Sequence, residues 1–332
     1  MVINHLINPD GKITFGMYAD PVLSLNYMDF DLKTPRGLKI PLCLKKIKFN
    51  QFHFVGITGP DLMVGLAIVD LKYATNGFFY VYDIKNAIIE ETKKTTLPNK
   101  HIYISPSPEN PESKFKAKGL AISITGNKVY AEGNGIAIDA AIGSTHTTPL
   151  RLCTRSGYNG WTYTQKTSPI KISGFIQFKG HKIPISSPSS MAIMDWTGGF
   201  MRRDTFWNWA ASATTLSDGR NLGFNLACGT NETGFNENAF WIDGAMTTTG
   251  SVNFIFNEND MHAPWHIQSN DGKVALIFIP ETHRAENINA FLVASKFTQL
   301  MGKFAGSLKT NSNEIITLKN CPGWAEDHYA KW

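Results

Sequence analysis

The residues best suited to chemistry in this sequence are carboxylic acids set beside aromatic rings. Asp195 precedes Trp196 at the end of the apolar run 191–194. A carboxylic acid against apolar and indole surface is desolvated, which raises its pKa and would let it protonate an alkene or carbonyl near neutral pH. Asp195 is therefore the preferred candidate acid, and the competing reading is a turn cap before Gly198-Gly199. Glu326 and His328 stand two apart. On an extended strand they share one face at roughly 7 Å and could serve one ligand as acid and base, or belong to a polar network near the end of the chain.

A second set could hold a ligand. Trp207 and Trp209 point to one face of a strand while Asn208 points to the other. Two indoles so placed can line an apolar pocket or stabilise a carbocation, and they can equally well pack a core. Trp161 and Trp241 are candidates of the same kind. The Asn238 carboxamide could hydrogen-bond a ligand carbonyl or hydroxyl, or brace the backbone. Arg155 and Lys166 offer cations to a ligand carboxylate or to a candidate acid, with a structural ion pair as the alternative. Asp243 opens an Asp-Gly turn and reads as a turn residue.

Other chemistries fail on spacing. His262 and His266 have the separation of helical zinc ligands, but Pro264 between them disfavours a helix, and on a strand they lie roughly 13 Å apart. Gly133-Asn134-Gly135 begins a phosphate loop without the helix pattern that must follow it. There is no Gly-x-Ser-x-Gly elbow or Walker-type sequence. Cys43, Cys153, Cys228 and Cys321 are far apart with no Cys-x-x-Cys pair, so they read as thiols and not as a zinc ribbon or redox site. No metal and no cofactor are expected.

These residues need strands to position them. With 21 Phe, 10 Tyr and 8 Trp, the chain is rich in side chains that suit a pleated surface, and 28 Gly with 16 Pro supply turns. Strand-like runs recur at 64–71, 78–82, 101–105, 120–124, 136–142, 172–178, 222–227, 252–256 and 274–279. Asn76-Gly77, Gly126-Asn127, Asp218-Gly219, Asp243-Gly244 and Asp271-Gly272 read as hairpin turns. Helical spacing is confined to 84–95 and, more weakly, 286–300, while 105–111 and 186–190 read as loops.

At 332 residues the chain exceeds the usual size of one hydrophobic core, and two domains, 1–150 and 151–332, are expected. An internal echo supports two related halves. Phe52-His53-Phe54, then Gly65-Leu66-Ala67-Ile68, then an aromatic strand ending at Asp83, is matched by Trp207-Asn208-Trp209, Gly223-Phe224-Asn225-Leu226 and a strand ending at Asp243.

The net charge of +5 is mild and its lysines are dispersed, so nucleic acid is not an expected partner. Lys114, Lys116 and Lys118, and likewise Lys45, Lys46 and Lys48, read as solvated faces. The first residues lack the basic and apolar pattern of a secretory signal, and no apolar run approaches the ~20 residues of a membrane helix. A cytoplasmic location is expected, and Asn231-Glu232-Thr233 reads as a chance match to a glycosylation acceptor.

From Thr154 onward the motifs resemble a known family. Gly160-Trp161-Thr162-Tyr163-Thr164-Gln165-Lys166, Asp195-Trp196-Thr197-Gly198-Gly199, Thr205-Phe206-Trp207-Asn208-Trp209-Ala210, Asp218-Gly219-Arg220, Glu237-Asn238-Ala239-Phe240-Trp241-Ile242-Asp243-Gly244, Pro264-Trp265 and the closing 323–332 together resemble the domain of unknown function 2804 family. More distantly the pattern is similar to the carotenoid 1,2-hydratase and tocopherol-cyclase group. The resemblance implies two lipocalin-like antiparallel β-barrel or sandwich domains, with few short helices, around an apolar ligand. It supplies no catalytic residues.

The sequence thus predicts an all-β protein that binds a small apolar molecule, lipid- or isoprenoid-like, in a β cavity. One alternative is a hydratase or cyclase that protonates such a ligand. Another is a carbohydrate-binding module, which requires Trp207 and Trp209 on an open surface.

Overall fold

Alternating side chains and short turns build two antiparallel sheets. The computed structural model describes residues 2–99, 101–143, 146–230, 234–290 and 293–331. The glycosylation-like triplet at 231–233 lies outside them. The first sheet has 13 strands and runs from Gly16 to Gly199; the second has nine and runs from Asp204 to Lys331. The change of sheet therefore falls between Gly199 and Asp204, and position 150/151 falls at the start of the first sheet's Leu150–Ser156 strand.

Both sheets follow one plan. In the first, Asn50–Thr58, Leu62–Asp70, Thr75–Asp83 and Ile88–Thr96 form a meander, and Asn50–Thr58 pairs on its other side with His181–Gly199, the last strand of the sheet. In the second, Asp204–Thr215, Asn221–Cys228, Ala239–Ile242 and Ala245–Thr248 form the meander, and Asp204–Thr215 pairs with the last strand, Ile315–Lys331. The result is two curled, lipocalin-like half-barrels related by the repeat seen in the sequence.

The strand period of two sorts the apolar residues into three large cores and one small cluster of Leu150, Leu152, Ala239 and Trp241. Val55, Ile57, Val64, Leu66 and Phe79 enter the first half-barrel. Ala210, Phe224, Leu226, Phe240 and Phe304 fill the second. The opposite faces meet each other: Phe54, Tyr80, Tyr82 and Ile193 of the first sheet pack against Trp209, Ala211, Met301 and Trp324 of the second. Full burial of each large side chain contributes about 1.5–3 kcal/mol.

Several local expectations are corrected. Residues 84–95 turn and then enter the Ile88–Thr96 strand, because pairing with Thr75–Asp83 and the β-branched residues Ile88, Ile89 and Thr92 outweigh helical spacing. Within 286–300, the described residues continue the Val274–Ala290 and Val293–Lys309 strands. Asn76-Gly77 lies inside Thr75–Asp83, where Gly77 accommodates the Phe115 ring. The 186–190 segment belongs to His181–Gly199. A bulge near Lys171/Ser173 interrupts the ladder there, and the Ser187 hydroxyl accepts the Ile172 N–H at 3.0 Å. Lys45 is buried, not solvated, with its ammonium donating to the Met28 and Phe30 carbonyls.

Candidate functional site

The candidate residues with acid or base chemistry converge on the faces that the two sheets present to each other, in two polar clusters. In the first, Lys166 and Asp195 are cross-strand partners. The Lys166 ammonium donates to the Asp195 carboxylate and lies 3.6 Å from Glu237 of the second half. Thr197 donates a further hydrogen bond to Asp195 at 3.0 Å. All three charged groups are buried. Burial raises the Glu237 pKa, and Lys166 opposes that rise. Burial also acts to lower the Lys166 pKa, but Asp195 and Glu237 together outweigh it and hold Lys166 above its ordinary value.

This corrects the expected environment of Asp195. Consecutive strand residues face opposite ways, so Trp196 enters the first half-barrel while Asp195 points to Lys166. Its neighbour is an ammonium instead of an indole, and the two form an ion pair. The carboxyl whose burial favours the protonated form is Glu237, just before the Ala239–Ile242 strand.

In the second cluster, Glu326 accepts hydrogen bonds at 2.9 Å from both Trp207 Nε1 and Gln299 Nε2. His328 Nδ1 lies 3.4 Å from the same carboxylate, and its Nε2 is 3.1 Å from the Ser295 hydroxyl. The Trp207 and His328 rings are 4.1 Å apart. Tyr80 of the first half donates to Gln299 Oε1 at 2.7 Å. The acid and base expected at Glu326 and His328 therefore share one strand face, with indole and phenol groups around them.

Arg284 completes this cluster. Its guanidinium lies over Phe78 at 4.2 Å, Phe297 at 4.9 Å and Tyr80 at 5.0 Å, and it pairs with Glu91 of the first sheet. The residue is only 9% exposed, yet among the described residues its Nε and Nη1 make no hydrogen bond. A buried guanidinium rarely leaves two donors unused, because each unpaired group retains its desolvation cost. Cross-strand pairing sets Arg284, Gln299, Glu326 and Trp209 in one row across four strands.

Trp209 separates the two clusters. Its indole donates to Asn225 at 2.8 Å and its ring meets Phe54 edge to face at 5.8 Å. Trp209 is buried and Trp207 is half-buried between the sheets, so the pair does not form the open platform that a sugar-binding surface requires. Asn238 braces the backbone: its carbonyl oxygen accepts from Ala227 N at 2.6 Å and its amide donates to Gly250 O at 3.3 Å. A shallow pocket of about 200 Å³ opens beside it, lined by Cys228, Glu237 and Asn238 among others.

The remaining candidates lie elsewhere. Trp161 is enclosed by Phe30, Phe49 and Phe200 at the first half-barrel. Trp241 is buried with Leu150 and Leu152 and donates to Thr148 O at 2.7 Å. Arg155 is exposed, stacked on Phe15 and bonded to Tyr158 O. Asp243 accepts the Asn221 N–H at 2.8 Å in its turn. Among the described residues no group of three or more His, Cys, Asp or Glu is arranged to hold a metal ion. No helix is long and apolar enough to cross a membrane.

Comparison with known proteins agrees with this architecture. The family model for the domain of unknown function (DUF2804) matches residues 3–332. No functionally curated protein matches the sequence. Among solved structures, CghA with Sch210972 superposes with a TM-score of 0.52 at 8% identity, over 98% of this chain and 97% of that one. A Nitrosomonas europaea protein assigned as AttH gives 0.51 at 11% identity, over 85% and 92%. Kievitone hydratase from Nectria haematococca gives 0.46 at 10% identity, over 97% and 98%. At such identities the likeness to the first two establishes a shared fold.

Proposed function

The chain belongs to the domain of unknown function (DUF2804) family, and from that premise we propose that it binds a small, largely apolar molecule bearing a carbonyl or hydroxyl oxygen between its two half-barrels. The observation that carries this reading is Arg284, buried in an aromatic box with two unused donors. A ligand oxygen would accept from the guanidinium while Phe78, Phe297 and Trp207 cover the apolar body. Both half-barrel interiors are occupied by their own side chains, which favours the inter-sheet face over a barrel cavity. CghA, a protein of the same fold, was crystallised with Sch210972.

A second reading, acid-catalysed addition of water or cyclisation, draws on Glu326. Its hydrogen-bond donors from Trp207 and Gln299 are neutral, whereas Asp195 is tied to an ammonium. In this reading Glu326→Gln abolishes turnover and leaves binding intact.

Solvent extraction of the purified protein with mass spectrometry tests the binding reading. An apolar oxygen-bearing compound should accompany the wild type and be lost from Arg284→Gln. A protein that carries no such compound, and takes up none from an added panel, would contradict the reading.

A further inference from the structure

The α-helix Leu42–Ile47 is turned inside out. Its one buried residue is Lys45, whose ammonium donates to the Met28 and Phe30 carbonyls, while Leu42, Leu44 and Ile47 project outward. Leu42 is 67% exposed, and Leu38 just before the helix is 66% exposed. A short helix ordinarily gains its stability by burying the apolar side chains, so this arrangement leaves exposed apolar side chains that a non-aqueous neighbour would cover.

The charges around it say what that neighbour is. Lys33, Arg36, Lys39, Lys46 and Lys48 are exposed on the same segment, and residues 32–60 contain no Asp or Glu. Asp31 pairs with Lys33 at 2.6 Å and reaches Lys39 at 3.9 Å; no acid on the helix itself offsets Lys46 or Lys48. A second copy docking through this same patch would bring the same cations against these and be repelled. Projecting leucines interspersed with lysines match a different surface, in which acyl chains accept the apolar tips and acidic headgroups pair with ammonium groups at the boundary.

We propose that residues 33–48 dock this protein onto an anionic lipid bilayer as a peripheral, interfacial contact. Leu38, Leu42, Leu44 and Ile47 enter the acyl boundary, and the five exposed cations lie at the headgroup level. The buried Lys45 fixes the helix in this orientation. The proposal is independent of the ligand site between the sheets.

Vesicle co-sedimentation of the full chain tests it. Wild type should bind phosphatidylcholine vesicles containing phosphatidylglycerol, bind phosphatidylcholine alone much more weakly, and release as salt rises. Lys46→Glu/Lys48→Glu and Leu42→Ser/Leu44→Ser should each reduce binding by at least about tenfold with an unchanged circular dichroism spectrum. Wild type that binds neither vesicle would overturn the proposal and leave an acidic protein as the complement. Binding that survives both variants would overturn it too. So would a dimer, seen by light scattering, that Leu42→Ser/Leu44→Ser breaks, since the face would then belong to a second copy.

Discussion

Asp195 and Glu326 hold the same place in the two half-barrels: Asp195 lies across from Phe54, and Glu326 across from Trp209. Phe54 and Trp209 are themselves the third residues of the repeated triplets, and their rings meet at 5.8 Å. On the other side the two acids diverge, with Lys166 beside Asp195 and Gln299 beside Glu326. One position of the repeat thus became a buried ion pair and the other a carboxyl bonded by Trp207 and Gln299, with His328 3.4 Å away.

That divergence predicts unequal costs. Lys166→Met leaves Asp195 and Glu237 buried without their ammonium and should lower stability by about 3–5 kcal/mol in urea denaturation. The deficit should shrink as the medium is made acidic, since protonation removes the stranded charges. Gln299→Leu should cost only about 1–3 kcal/mol, for the Tyr80 and Glu326 hydrogen bonds. Equal losses would contradict the assignment.

Glycines inside the repeated strands make room for a ring in one half and for the other half's backbone in the other. A Cβ on Gly65 would overlap the Tyr80 ring, and one on Gly223 would overlap Ser168 of the other half. Gly65→Ala and Gly223→Ala should each destabilise by about 1–3 kcal/mol, whereas Gly126→Ala, with nothing within 4 Å, should stay within about 0.5 kcal/mol. Thermal melts of the three variants decide this.

His53 should make the fold acid-sensitive. It is fully buried in the first half-barrel, its Nδ1 is 2.8 Å from the Ser113 hydroxyl, and burial pushes its pKa down to about 3 from 6.5. Between those values the unfolded chain binds a proton that the folded chain refuses. Stability therefore falls as pH drops from about 6.5 toward 3, by at most about 1.4 kcal/mol per pH unit from this group. His53→Asn should remove that component, and an unchanged slope would show that His53 does not supply it.

Arg284→Lys keeps a cation for Glu91 but gives up the planar fork and its Nε donor. Calorimetric titration with the compound recovered from the wild type should show affinity reduced by about tenfold or more. Unchanged affinity would remove Arg284 from ligand recognition.

Much of this architecture is legible in the chain. Asp218-Gly219, Asp243-Gly244 and Asp271-Gly272 all turn between strands, and the Phe52/Trp207 repeat reports the shared sheet plan. Strand length is less legible. The run read at 274–279 extends to Ala290, because pairing with Val293–Lys309 carries it past Pro280 at a bulge. Arg284 lies in that extension, and its aromatic box is assembled from distant strands. Gln299, Tyr80 and Glu237 escaped for the same reason: local periodicity shows which way a side chain points on its own strand, not what faces it from another sheet. The two-residue spacing of Glu326 and His328 is legible as one shared strand face, and in the structure His328 Nδ1 lies 3.4 Å from the Glu326 carboxylate.

The most direct measurement is a high-resolution crystal structure of the protein together with the compound extracted from it. Ligand density is predicted between the sheets, with an oxygen within hydrogen-bond distance of Arg284 Nε or Nη1 and its apolar body against Phe78, Phe297 or Trp207. Water alone on both nitrogens, with the compound inside a half-barrel, would contradict it.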